Sequence, residues 1–450
     1  MTADYESRIS ITIELNDRYM KALSWLLMLF CTGFQVLRAQ DTLTVEQAVQ
    51  RVLQTHPAID QALANIRAGE ARTSQASSAK LPEVTTEAVY AHIGPVPDFS
   101  FPVLGSFVLA PADNYDAHVT GRYTLYDFGK TGTAIDLNQS RVQTMRDAME
   151  LTKINLSLQT IRVFYAIVLL RRSSQVQDEQ IEALNEHLSV TQKRVEAGSA
   201  TNFDVLTTQV RVATAQNQKV EIQNSLQKEE AMLRQLLNLP TKSLPVIHGS
   251  FQQTQVSLNV DSLSQLALQQ RSELNLAHDA EQSAQRQKKL NALGNMPTLK
   301  VSVLYGLKNG YEPNIYPLRG NWVWGAQAQV PIFDGGRVSH QEEEAQATVQ
   351  AEQAHTRDVE QQIRSDVEQV AADVQAAVSK VQISEVQLRQ AHEAVTIARR
   401  QYETGSITNL DLLDAETAES AAKLMNLQAL YRFVISKYEL NRAIGASFID

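Results

Sequence analysis

The sequence predicts a mostly α chain with a transmembrane β portion: a duplicated unit of long coiled-coil helices plus two β-hairpins. Three observations predict it. One stretch is written twice, heptad seams run for tens of residues without a break, and short segments of period two sit between the helices. Residues 196–209, EAGSATNFDVLTTQ, return as 403–416, ETGSITNLDLLDAE, so Gly198 and Gly405 lie 207 positions apart. The same offset carries Leu125-Tyr126-Asp127-Phe128-Gly129-Lys130 onto Ile332-Phe333-Asp334-Gly335-Gly336-Arg337, Leu233 onto Leu440 and Leu237 onto Ile444. Further upstream an offset of 215 places Leu43, Val45 and Pro82 on Leu258, Val260 and Pro297, so the first copy holds eight extra residues before its glycine. A fixed period marks a duplicated unit, and this one is too long for a solenoid. The two structural repeats are therefore 41–245 and 246–450.

The N-terminus comes first. Lys21 precedes ALSWLLMLFC, an apolar run too short to span a bilayer, as in a signal peptide ending near residue 40. Asp4, Glu6 and Glu14 are foreign to a signal's leading region and point to translation starting at Met20. Cys31, the one cysteine, follows Phe30 where a lipoprotein signal wants a small residue. Once the signal is removed, an exported chain without cysteine must be stabilised by something other than disulfides.

Long helices follow from composition and period. In 450 residues there are 18 Gly and 12 Pro, and aromatics make up 6%, which favours extended helix. A net charge of −9 gives no electrostatic reason to bind nucleic acid. From 337 to 404 neither Pro nor Gly interrupts the chain. Val367, Val370, Val374, Ala377, Val381, Ser384, Leu388, Ala391, Val395, Ala398 and Tyr402 alternate steps of three and four, a heptad seam of small residues. A helix of that length spans about 100 Å. Its counterpart is 131–197, with Ile181, Leu184, Leu188 and Val195 on the seam and IRVFYAIVLL (161–170) apolar nearly all round. Returning helices are expected over 202–238 and 409–444, and a shorter helix opens each half, near 44–79 and 260–294.

Strands are expected over 84–94, 115–127, 299–308 and 321–333. Tyr115, Ala117, Val119, Gly121, Tyr123 and Leu125 share one face; Asp116, His118, Thr120 and Arg122 take the other. Val301, Val303 and Tyr305 align likewise, as do Trp322, Trp324, Ala326 and Ala328. Ten-residue segments of this kind, with aromatics towards their ends, suit outer-membrane barrels. Four strands cannot close, and an open edge cannot face lipid. Two copies would supply eight strands and three would supply twelve; closure needs at least about eight.

Taken together, YDFGK and FDGGR at the strand-to-helix junctions, and YETGSITNLDLLDAE, resemble the TolC-type outer-membrane efflux channels across nearly the whole mature chain. The resemblance implies a homotrimer: a 12-stranded barrel in outer-membrane lipid joined to an α-helical periplasmic tube, in a Gram-negative cell. It implies a passive exit channel of an efflux or type I secretion system. Its partners would be a periplasmic adaptor (membrane fusion protein) and an inner-membrane pump of RND or ABC type, with no cofactor.

Within that resemblance the repeated stretch forms the periplasmic tips. Gly198 and Gly405 suit left-handed helix ends, and Thr201 and Thr408 suit N-caps with Asp204 and Asp411 completing capping boxes. Asp414 caps nothing, and with Asp411 it would form a pore ring of six carboxylates. Asp204 and Tyr402 match positions that close the aperture, while Ile407 stands where the family has an arginine. Gly198, Ser199, Thr201, Gly405, Ser406 and Thr408 would meet the adaptor. No catalytic constellation or metal-ligand spacing is present, so no enzyme is expected. The competing reading is an exported coiled-coil scaffold or adhesin without a pore, and the amphipathic strands discriminate between the two.

Overall fold

The structure is a computed structural model that describes residues 42–448, apart from 97, 103–104, 109, 241–243 and 252–257. The expected signal peptide, with Met20 and Cys31, lies outside the described residues. By contact the chain divides into two units. In the smaller, strand β1 (Thr42–Leu43) pairs in parallel with β6 (Val246–Ile247). All else belongs to the larger unit.

The larger unit begins with α1 (Val45–Thr55) and α2 (Pro57–Ser78), then β2 (Glu83–His92), β3 (Asp98–Phe101), β4 (Gly105–Val108) and β5 (Asp113–Tyr126). Two long helices follow, α3 (Lys130–Glu196) and α4 (Asn202–Leu236). The second half repeats this as α5 (Val260–Gln270), α6 (Ser272–Ala292), β7 (Thr298–Lys308), β8 (Arg319–Gln329), α7 (Arg337–Glu403) and α8 (Asn409–Ala443). Each repeat's long helices are 67 and 35 residues long.

Each expected opening helix is two helices. Pro57 starts α2 after an extended His56, whose Nδ1 accepts from Ala58 N, as a ring without an N–H permits. At the matching place Arg271 is extended, with φ −72° and ψ 127°, and its guanidinium is buried between Glu273 and Asp366 at 2.6 Å from each. Arg442 reaches the same Asp366 at 2.8 Å. This network holds α6, α7 and α8 together at one level, beside a core of Leu274, Val359, Ile363, Val367 and Leu440.

The motifs at the strand-to-helix junctions now have a physical cause. Asp127 accepts from Gly129 N and Thr131 N, and Asp334 from Gly336 N and Val338 N. Those bonds satisfy the first orphan N–H groups of the 67-residue helices. The backbone N–H of Val338, foremost, holds the Asp334 carboxyl below the ordinary aspartate value.

The long helices lie in the order α4, α3, α8, α7, so α4 and α7 are the edges of the row. The seam on α7 is buried from Val367 to Ser384 and again at Val395, Ala398 and Tyr402, with Leu388 and Ala391 half-buried. Helix α3 contains a window long and apolar enough to cross a membrane, yet in its 161–170 stretch Ile161, Phe164 and Ile167 are almost wholly enclosed.

One four-stranded antiparallel sheet, in the order β2–β5–β7–β8, draws two strands from each repeat. Registers align Tyr90 with Tyr115, Ala117 with Leu307, Val119 with Tyr305, Gly121 with Val303, and Tyr305 with Trp322. The result is one continuous apolar face, much of it bare: Trp324 is 70% exposed. On the other face His118 Nδ1 lies 2.8 Å from Asp116, Nε2 lies 3.8 Å from Glu87, and Lys308 meets Asp116 at 3.4 Å. The last strand stops at Gln329 instead of 333, because Pro331 has no N–H to continue the ladder.

Candidate functional site at the helical tips

The turns between α3 and α4 and between α7 and α8 form the tips. At the first, Gly198 N bonds Val195 O at 2.9 Å and Ser199 N bonds Arg194 O at 2.8 Å. At the second, Gly405 N bonds Tyr402 O at 3.1 Å and Ser406 N bonds Gln401 O at 2.8 Å. This double closure needs a left-handed residue, and Gly198 and Gly405 have φ of 74° and 75°. Helices α4 and α8 then begin with reciprocal capping boxes. Thr201 accepts from Asp204 N while Asp204 accepts from Thr201 N at 2.9 Å; Thr408 and Asp411 do the same, also at 2.9 Å. The Thr408 hydroxyl, foremost, and its backbone N–H hold the Asp411 carboxyl below the usual aspartate value.

Asp414, one turn along, is bonded within its own chain. Its Oδ1 accepts from Arg211 of α4 at 2.6 Å. Tyr402 is also engaged within the chain. Its ring lies 4.4 Å from the Arg194 guanidinium carbon and 5.2 Å from the His187 ring, both on α3. Arg194 also donates to the Tyr402 carbonyl at 3.3 Å. His187 is buried, with Nε2 donating to Asn409 Oδ1 at 2.5 Å. Asn409 Nδ2 in turn donates to the Asp204 carbonyl at 3.3 Å. Ile407 packs on the small cluster of Ala398, Tyr402 and Leu412.

The structure thus links Asp204 to Tyr402 through Asn409 and His187, sets Arg194 on Tyr402, and pairs Asp414 separately with Arg211; sequence reasoning missed His187, Asn409, Arg194 and Arg211. Near the tips it fastens the second helical hairpin (α7–α8) to the first (α3–α4) through the Arg211–Asp414 ion pair, the cation–π contact and hydrogen bond of Arg194 with Tyr402, and the hydrogen bonds of Asn409 with His187 and Asp204, beside a buried cluster of Leu184, Val212, Ala215 and Leu413. The cation–π contact is worth about 0.5–2 kcal/mol, and the half-exposed ion pair about 0.2–1 kcal/mol. Gly198, Ser199, Gly405 and Ser406 stay at the exposed ends of the turns. A Cβ built on either glycine meets nothing within 4 Å. Phe203, Leu206 and Val210 form a bare apolar stripe on α4 beside the tip.

Comparison with known proteins bears on this arrangement. The family model described as outer membrane efflux protein matches residues 48–239 and 263–446. The outer membrane protein TolC of Escherichia coli (strain K12) is 22% identical over 442 residues, spanning 94% of this chain and 86% of that protein. The proteases secretion protein PrtF of Dickeya chrysanthemi is 23% identical over 352 residues, 74% of this chain and 73% of the relative. Among solved structures, the outer membrane protein VceC of Vibrio cholerae superposes with a TM-score of 0.75 at 19% identity, covering 90% of this chain and 96% of that one. The CmeC outer membrane channel of Campylobacter jejuni gives 0.78 at 13% identity, covering 89% and 85%.

Proposed function

The chain belongs to the outer membrane efflux protein family, and from that premise we propose that it is the passive outer-membrane exit channel of a tripartite efflux or type I secretion system. It resides in the outer membrane of a Gram-negative bacterium and extends far into the periplasm. The family is a transport family. The observation that carries the reading is the four-stranded sheet with a bare apolar face and two edges, β2 and β8, that are unpaired among the described residues. Unpaired strand edges are intolerable in hydrocarbon, so copies must supply one another's missing neighbours.

A homotrimer does this with twelve strands. It also gives the edge helices partners: α4, with Val210 and Val220 bare, would meet α7 of the next copy, with Ile383, Val386 and Ile397 bare. The 41–245 and 246–450 repeats are then two similar staves of the wall. At the tips, Asp411 and Asp414 would ring the pore, and the contacts of Tyr402, Arg194, His187, Asn409, Arg211 and Asp414 would hold it shut. Gly198, Ser199, Thr201, Gly405, Ser406 and Thr408 would receive a periplasmic adaptor delivering cargo from an inner-membrane pump of RND or ABC type. Relatives named for protease secretion and for pyoverdine export share this fold family, which fits a duct whose cargo is chosen by its pump.

Reconstitution tests the proposal. Protein extracted from outer membranes should conduct ions across a planar bilayer, with cations favoured. A preparation that stays in water without detergent and passes no current would refute it.

A further inference from the structure

The first β-hairpin carries an insertion that the second lacks. Between β2 and β5 the chain makes the extra ribbon β3–β4, whose register pairs Asp98 with Val108, Phe99 with Phe107, Ser100 with Ser106 and Phe101 with Gly105. Between β7 and β8 it passes only residues 309–318, which include Glu312. From Phe99 to Ala112 the sequence reads FSFPVLGSFVLAPA, without one charged residue. Phe99 remains 50% exposed and Val108 38%. An apolar stretch of this length at the end of a barrel needs a cover.

Its depth follows from the sheet. The long helices join the opposite ends of the strands, so the insertion is on the outward side. The β2–β5 pairing runs to His92 and Asp113, and Ile93 N still bonds Ala112 O at 2.8 Å. Both legs therefore leave the sheet together. That end of the apolar face carries Tyr90, Tyr115, Tyr305, Trp322 and Trp324. Aromatic rows of this kind stand at the boundary between hydrocarbon and headgroups. The ribbon begins eight residues after Tyr90, hence at or just beyond that boundary.

We propose that the β3–β4 ribbon is an interfacial anchor that lies on the outer leaflet, with lipid as its occupant. The inference rests on the outer-membrane reading above. Two facts favour lipid. The ribbon continues the strands that already carry the lipid-facing row, and beyond Asp98 at its start the stretch to Ala112 carries no charge with which to select a protein. A two-stranded ribbon keeps two unpaired edges, which bars it from the hydrocarbon centre. The headgroup boundary accepts both its apolar side chains and its wet edges.

Single cysteines test this in the full-length protein carrying Cys31→Ser. Phe99→Cys and Val108→Cys each receive an environment-sensitive fluorophore, with Glu312→Cys on the other hairpin as the exposed control. The trimers are reconstituted in phosphatidylethanolamine–phosphatidylglycerol vesicles. Labels at 99 and 108 should be quenched by nitroxide-bearing lipid, and iodide quenching there should fall to about half or less of that at 312. Iodide quenching equal to the control overturns the anchor, because the ribbon is then wet. Labels shielded from both quenchers also overturn it, because the ribbons are then covered by protein and not by lipid. Conductance of the same vesicles reads the channel proposal separately.

Discussion

Arg211 and Asp414 tie α4 to α8 at 2.6 Å across the tip. Their side chains are 35% and 59% exposed, so the pair is a modest one. Arg211→Ala should shift the closed–open balance by up to about fivefold per chain, from about 0.2–1 kcal/mol. Resting conductance in single-channel recordings should rise accordingly; unchanged resting conductance would show that the pair does not hold the gate. Asp411 answers to pH. Its carboxyl is depressed by the Thr408 hydroxyl and N–H, so its capping bond is fully present above the ordinary value of 3.8 and is lost as pH falls through the lower folded one. Block by a multivalent cation should therefore persist at about pH 5 and fade only below the usual aspartate range. Asp411→Asn with Asp414→Asn should abolish most of that block at neutral pH. A pH titration of blocked current reads both.

At the scale of elements, two glycines make opposite predictions. Gly405 has a left-handed backbone but open space around it. Gly405→Trp should cost about 1–2 kcal/mol locally, leave oligomers intact, and cut export in cells through lost adaptor contact. Normal export by that variant would remove the tip from adaptor binding. Gly306 has ordinary strand geometry but no space: a Cβ there would run into the Ala117 carbonyl oxygen and come within 2.5 Å of the His118 Cβ. Gly306→Val should therefore disrupt the β5–β7 pairing and reduce the oligomer detected by native mass spectrometry.

The same scale explains what the sequence could reveal. Caps and left-handed ends depend on a few adjacent residues, so Gly405, Thr408 and Asp411 were legible. The rotational phase of a long helix is not local. The seam on 131–197 was read through Ile181, Leu184, Leu188 and Val195; Leu184 is enclosed, but Leu188 and Val195 are half-buried, and further along His187 and Thr191 are the enclosed residues. A buried polar side chain leaves no trace in an apolar period, so His187 was missed; Arg194 and Arg211 are part-exposed and meet Tyr402 and Asp414 across more than 200 residues of sequence. The break at Arg271 was also hidden, since it depends on ion pairs with Glu273 and Asp366 rather than on Pro or Gly. The β3–β4 ribbon registered only as extra length in the first copy.

For the whole molecule, one idea orders the rest. The helical row and the sheet each end in two edges, and both sets belong to one protomer that cannot seal itself. The duplication supplies two staves, and the proposed symmetry would supply the others. Four strands with a lipid-ready face are useless alone and sufficient in threes. The most direct measurement is the mass of the detergent-solubilised particle by native mass spectrometry, taken with its bilayer conductance. A particle of three mature chains that forms discrete channels is predicted. A single chain, stable in plain buffer with its aromatic strand faces open to aqueous quenchers, would contradict the account.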